Sequence, residues 1–340
     1  PGGDLLGRFL GEPGEEMNPP SQLWPASTVP SALGDGTEGL SRLRPEYGGF
    51  FFRDLLAGAP EAFLGPDHVR SWGADPGILI KLLNSRDRLL VQVHPDRERA
   101  SRYFGSPFGK TEAWHVVAAK PGAVVYAGFR PGIGKEALRA AIEEQDSARI
   151  LSLLHEFPVK AGATLFIPAG LPHALGKDSL VLEIQEPTDI TLRAERRRPS
   201  GELLPESMLH GGAGMEALLD CFNYDAREAE EAGRGIFVEP VKIDAGGGVV
   251  LEDLVSYRTT PYFSMRSVEL APGARYAGEL GSFAVCIVLS GEGSIEQNGR
   301  TLPLRRGTDF FIPHGMGRYE YRSAGGLRIV ECYPPVPKNQ

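Results

Sequence analysis

Two histidines and a glutamate, His94, Glu112 and His173, stand in apolar stretches of the 340-residue chain, with Gln92 and Lys110 close by in sequence. The first stretch reads "RLLVQVHP" and the second "GKTEAWHVV". Successive side chains of a strand point to opposite faces, so Gln92 and His94 share one face and Lys110 and Glu112 share another. Two imidazoles and a carboxylate make a metal-ligand set. Zinc takes both donor types at ~2.0–2.2 Å and, in catalytic sites, keeps a position open for water or substrate. A non-haem Fe(II) centre uses a similar triad, so the ligand types leave the metal open. Gln92 can add an amide oxygen as a fourth ligand. A lone histidine in a sheet is better explained as a hydrogen-bonded core residue, but three such residues in strand-type frames point to a metal.

The elements that must carry these residues are short strands. "GILIKLLNS", "RLLVQVHP", "EAWHVVAA" and "GAVVYAGF" follow one another closely, and "ATLFIPAG" and "SLVLEIQE" come later. This is meander-like β structure. Before it lies a Pro-, Ser- and Gly-rich lead-in with one short strand near Leu23 and Trp24, then a helical piece, "FFRDLLAGAPEAFLG", stopped by Gly65 and Pro66. Within it, "GKEALRAAIEEQDSARILSLLHEF" has apolar residues at helical spacing and predicts one or two helices ended by Pro158. From Ile236 onward the pattern is again strands with Gly turns, including a hairpin at Asn298 and Gly299. The division predicted is an N-terminal metal-binding domain over 1–195, a connecting segment over 196–235 with a short helix, and a C-terminal domain over 236–340.

The composition limits the function classes. A formal charge of −8 leaves no basic surplus for a phosphate backbone, which argues against nucleic acid. No apolar run approaches the ~20 residues that span a bilayer, which argues against a membrane. Three cysteines, Cys221, Cys286 and Cys332, lack metal-type spacing, and no charged-then-apolar export signal stands near the N-terminus, so a reducing cytoplasm is the expected compartment. Cys286 and Cys332 lie in apolar strands and read as core. His115 has the opposite parity to Glu112 and is expected to face away from the site, and Arg196 to Arg198 reads as a solvated charge run.

The halves look like copies. "GATLFIPAGLPH" from Gly162 and "GTDFFIPHGMGR" from Gly307 share the frame Gly, five residues, Pro, one residue, Gly, two residues, and then His173 or Arg318. That frame resembles the second motif of cupins, small β-barrels that bind metal inside. More narrowly, "VQVHPD", "GKTEAWHVV", "IPAGLPHALG" and "LVLEIQEPTDITLR" resemble the short bacterial type I mannose-6-phosphate isomerases, well over about residues 78 to 193 and more loosely elsewhere.

The resemblance implies a mostly β protein of two cupin (jelly-roll type) β-barrels with a short helical insert. It sets His94, Glu112 and His173 on the family's zinc ligands, with Gln92 on a further ligand used by some members, and it expects one Zn2+ per chain. In the second half Ala284 stands where a cupin carries its ligand glutamate, so no metal is expected there. Lys110, Asp189 and Arg193 match the residues bordering the sugar site. The implied activity is interconversion of mannose 6-phosphate and fructose 6-phosphate through a cis-enediol, with a small-molecule hexose phosphate as partner. Such a reaction moves a proton between two carbons and needs a cation for the developing oxyanion, which suits the forked, always-charged Arg193. Lys110 is either the base or an ion-pair partner of a neighbouring carboxylate. Two rival readings share the fold: a non-catalytic sugar-phosphate binder and a metal-dependent oxygenase. Oligomeric state is left open by the sequence.

Overall fold

A computed structural model of the chain describes residues 2–11, 20–32 and 35–337. Part of the Pro-rich lead-in, residues 12–19 and 33–34, lies outside the described residues. The chain is mostly β, as its strand periodicity predicts. It divides into two compact units that do not follow chain order. The first is Leu83–Val238 with short pieces ending at Leu6 and Gln22, and the second combines Leu23–Leu82 with the chain from Glu239 onward.

In the first unit, one sheet includes Ser179–Gln185, Glu112–Ala119 and Thr164–Ile167 side by side, all antiparallel, and the side chain of Ser85, the last residue of the next strand, donates to the Ser179 carbonyl. Glu112–Ala119 reads "EAWHVVAA", buried on both faces for its first half, so its alternation is hidden beneath a continuous apolar run. Trp114 and Val116 on one face meet Leu165, Ile167 and Val181 in a shared core. The other sheet runs Leu192–Arg193, Gln92–Val93, His173–Leu175, Val124–Phe129, Leu154–Pro158. Helices Lys135–Glu144 and Ser147–Ser152 cover it with Leu138, Ala141, Ile142 and Ile150, packed with Val91, Val93 and Leu192. Asp146 caps the second helix by accepting from the Ala148 and Arg149 amides.

Two sequence expectations need correction. The helical stretch does not run to Pro158: it ends at Ser152, and Leu154–Pro158 is a strand paired with Val124–Phe129. Its place at the sheet edge, with proline as its last residue, is one a proline tolerates because no further strand needs its missing N–H. Gly65 ends the early helical piece as predicted, but Pro66 does not keep it stopped. In the second unit three short helices, Phe52–Gly58, Pro60–Leu64 and Pro66–Trp72, follow each other, and Pro66 opens the third, where its missing N–H is not needed. A helix at Arg97–Phe104, capped by Asp96 and ended by left-handed Gly105, was hidden by its nearly all-polar sequence.

The second unit holds an eight-stranded sheet with the order Val241–Gly246, Val249–Val255, Ser264–Leu270, Arg318–Tyr333, Ala284–Gln297, Arg300–Arg305, while Arg275–Glu279 pairs with the long Arg318 strand and Asp309–Ile312 with the Ala284 strand. The hairpin at Asn298 and Gly299 forms as predicted, with φ of 49° and 74°. The two repeat frames share their local geometry. Gly162 and Gly307 both have positive φ, 90° and 83°, just before a strand, Thr164–Ile167 or Asp309–Ile312, which the frame's proline follows.

Candidate metal centre

A row of cross-strand neighbours builds one wall of the site. Arg193 lies opposite Gln92, and Gln92 lies opposite His173. Directly opposed residues of antiparallel strands project to the same face, so Arg193, Gln92 and His173 form a line across three strands. His94 follows just past the strand Gln92–Val93, and its ring lies 4.9 Å from that of His173. Glu112, the first residue of its strand, comes from the other sheet. One ligand atom each from His94, Glu112 and His173 lie within 4.8 Å of one another, and all three residues are buried.

Hydrogen bonding sets the tautomers of both histidines. His94 Nδ1 is 3.0 Å from the Ile190 carbonyl and His173 Nδ1 is 2.8 Å from the Leu171 carbonyl. A carbonyl can only accept, so each Nδ1 carries the proton and each Nε2 keeps its lone pair. His94 Nε2 then faces Glu112 Oε1 at 3.1 Å, acceptor against acceptor; both atoms are buried, Nε2 makes no hydrogen bond among the described residues, and Oε1 has only the Lys110 ammonium beside it, 3.2 Å away. Two opposed lone pairs in a dry interior repel each other unless a cation sits between them. His173 Nε2 lies 3.8 Å from Glu112 Oε2 and 3.1 Å from the Gln92 amide, whose oxygen would face the same point after an amide flip. The residues therefore fit a divalent metal, with outer carbonyls orienting the imidazoles as in known sites.

Electrostatics agree with that reading. Burial, and then the charge of Lys110, lower His94 to about 3, so its imidazole is neutral. Burial also lowers His173. Burial alone would raise the Glu112 carboxyl, yet the groups around it, His94 and Lys110 foremost, hold it well below the usual carboxylate range. The site offers two neutral imidazoles and one carboxylate anion.

The other predicted residues gather at the same place. Lys110 is buried, with Nζ 3.2 Å from Glu112 Oε1 and 3.2 Å from Thr191 Oγ1. The ion pair weighed from the sequence is thus made with the Glu112 carboxylate itself. Arg193 donates through Nη1 to the Thr191 and Met208 carbonyls, the latter from the short helix Ser207–His210. Burial lowers its guanidinium and the Asp189 charge offsets this. Asp189 is half-buried. His115 turns away to pair with Thr164 Oγ1 at 3.0 Å, and Arg198 meets Glu202 on the surface, as expected.

Some polar residues of the interior are not singled out by strand parity around the motifs. The indole N–H of Trp114 is shared between Glu112 Oε2 at 3.2 Å and Glu183 Oε2 at 3.1 Å. It thereby orients the carboxylate from behind. The signal was present in "LVLEIQ", where a glutamate interrupts an apolar strand. Glu186 is bound by Arg97 at 2.6 Å and by the Thr111 amide at 3.2 Å, which pins the segment before Glu112. In the second unit Lys81, likewise set in an apolar strand, is buried with its Nζ 4.4 Å above the Trp24 ring.

Among the described residues the second unit has no comparable cluster of metal ligands. Ala284 is buried and Arg318 exposed. A buried carboxylate, Glu331, is satisfied instead by phenols: Tyr319 and Tyr321 each donate to Oε1 at 2.9 Å, and Tyr333 donates to Oε2. Cys221, Cys286 and Cys332 are all free and buried.

Residues 254–334 match the family described as mannose-6-phosphate isomerase, cupin domain. The chain is 28% identical over 285 residues to the probable mannose-6-phosphate isomerase GmuF of Bacillus subtilis, covering 82% of this chain and 83% of that protein. It is 29% identical over 259 residues to the mannose-6-phosphate isomerase of Streptococcus mutans, covering 75% and 73%. In fold it is similar to the crystal structure of the mannose 6-phosphate isomerase from Bacillus subtilis, with a TM-score of 0.74, 23% identity and coverage of 98% and 95%. The resemblance to bacterial type I mannose-6-phosphate isomerases implied by the motifs holds over most of the chain.

Proposed function

We propose that this chain is a metal-dependent aldose–ketose isomerase that interconverts mannose 6-phosphate and fructose 6-phosphate, with His94, Glu112 and His173 as metal ligands and Gln92 as a fourth. The convergence of three buried ligand atoms within 4.8 Å, beside Lys110 and in line with Arg193, carries the reading. Zinc is the metal that fits two neutral imidazoles, a carboxylate and one exchangeable position. When bound, it supplies a positive charge that polarises the sugar oxygens at the reacting carbons.

The chain's own residues do the rest. Glu112, held by the Trp114 indole, stays anionic and offsets the charge of Lys110. Lys110 Nζ, between the carboxylate and Thr191, is placed to exchange a proton with a sugar hydroxyl or carbon at the metal position. Arg193 is fixed by two backbone carbonyls, which orders its guanidinium before substrate arrives and directs it to negative charge on the developing enediolate. Asp189, four residues earlier, tempers the Arg193 charge. The same proposal assigns the metal-bearing cupin barrel to 1–195 apart from Leu23–Leu82, which joins the second compact unit, the connection to 196–235 and a metal-free second barrel to 236–340. Its three free, buried thiols suit the cytoplasm. No helix among the described residues is long and apolar enough to cross a membrane.

A coupled assay of mannose 6-phosphate conversion on protein of measured metal content tests this. Turnover that is lost on chelation and restored by zinc is expected. Zinc-loaded, folded protein that binds the sugar phosphate without converting it would overturn the isomerase in favour of a binder. Activity requiring iron and dioxygen would favour an oxygenase.

A further inference from the structure

The strand Val241–Gly246 is the last of the eight-stranded sheet. It pairs with Val249–Val255 on one side, and no described strand pairs with its other side. All six of its residues are exposed. Native proteins usually guard such an edge with charge, proline, bulges or a covering element. Here the guards are one lysine and one aspartate, Lys242 and Asp244, on either side of Ile243, and a register shift confined to the end of the strand, between Asp244 and Gly246, where Asp244 Oδ1 accepts from the Gly246 amide. Val241 is 60% exposed and Ile243 44%. Ile243 stands opposite Leu251, and Leu251 packs against the core of this unit. Ile243 therefore extends the inner apolar face of the sheet one strand beyond its covered part.

We propose that this edge pairs with the same edge of a second copy of the chain, antiparallel, about a two-fold axis at Ile243. A two-fold contact places one patch against itself, so its residues must be self-complementary. With the axis at Ile243, Lys242 faces Asp244 of the second copy and Asp244 faces its Lys242, two opposite-charge pairs per contact. The two Ile243 side chains meet at the axis. Lys242 Nζ already lies 3.5 Å from Glu252 Oε1 on its own neighbouring strand, so the joined sheet carries a row of Glu252, Lys242 and the second copy's Asp244, alternating in sign. Centring the axis on Lys242 or on Asp244 would oppose like charges, which is destabilising in a directly facing pair. The charge pattern thus selects one register, and in that register the lysine that would otherwise guard the edge becomes an attractive contact.

The contact is short. It falls below the ~1,200 Å² of standard interfaces, so dimerisation is expected in the micromolar range or weaker. Sedimentation velocity on the full chain from about 1 to about 300 µM reads it. The wild-type protein should pass from monomer to dimer over that range. Lys242→Asp or Asp244→Lys should each remain monomeric throughout, with mannose 6-phosphate turnover like wild type. The double variant K242D/D244K keeps the pairing with its signs exchanged and should dimerise again. A wild-type monomer at every concentration overturns the proposal. So does a dimer that persists in both single variants, since it would use another surface, or a folded double variant that stays monomeric.

Discussion

Replacing Glu112 by glutamine keeps the size of the side chain and removes its charge, and the structure sets two separable consequences. The first appears without metal. Lys110 Nζ, buried and 3.2 Å from Oε1, loses its counter-ion. Removing one partner of a buried pair costs about 3–5 kcal/mol. Thr191 Oγ1 still accepts from Lys110 at 3.2 Å and the new amide oxygen can accept as well, so the lower end, about 3 kcal/mol, applies. At about 2–4 °C per kcal/mol for a domain-sized unit, the metal-free variant should melt about 6–12 °C below the metal-free wild type. The second consequence appears with metal. A ligand present at 100 times its dissociation constant stabilises the folded state by about 2.7 kcal/mol, about 5–11 °C on the same scale. The wild type should gain this on zinc reloading and the variant should not, because an amide gives the ion no negative charge. Circular-dichroism melts of stripped and reloaded protein, with elemental analysis after dialysis, measure both. A variant that retains one metal per chain and the full reloading shift removes Glu112 from the ligand set. An unchanged metal-free melt shows that Lys110 does not depend on Glu112.

Elemental analysis of wild-type protein should give one metal per chain; two would place a second ion in the half where Glu331 is already satisfied by three tyrosines. Arg193→Lys should lower kcat by about 100-fold with little change in KM, because lysine keeps the charge but not the forked geometry; a rise in KM alone would make Arg193 a phosphate anchor. Trp114→Phe should weaken zinc about 10–100-fold in a chelator competition, through loss of the N–H that orients Glu112; unchanged affinity would leave the indole a packing group. His94 and His173 both have folded-state values below the unfolded ~6.5, so their contribution to stability is complete above that pH and is lost as pH falls below it, for His94 through the window toward about 3. The His94 proton alone sets a loss of about 1.4 kcal/mol per pH unit below about pH 5.5 in metal-free protein, with His173 acting in the same direction, and equal urea midpoints at pH 7 and pH 5 would contradict this.

The sequence by itself determined what depends on local rules. Strand parity turned His115 away from Glu112, because a pleated backbone alternates its side chains whatever surrounds it. The Gly–Pro–Gly frames at Gly162 and Gly307 and the Asn298–Gly299 hairpin were legible for the same reason: their backbone conformations follow from the residues themselves. Element ends that depend on partners were not. "LHEFP" continues a helical pattern on paper, and it is a strand because Val124–Phe129 offers it a free edge. Pro66 reads equally well as a helix stop or start, and only the chain's path chose the start. Within the site, tertiary structure decided the line Arg193–Gln92–His173, which joins residues about eighty to a hundred positions apart through strand register. It also decided that one indole N–H bridges Glu112 and Glu183, and that a carbonyl from Met208 steadies Arg193. These are long-range pairings, and no local periodicity encodes which buried donor meets which buried acceptor; that choice is made when the sheets close over a core that leaves polar groups no water to turn to.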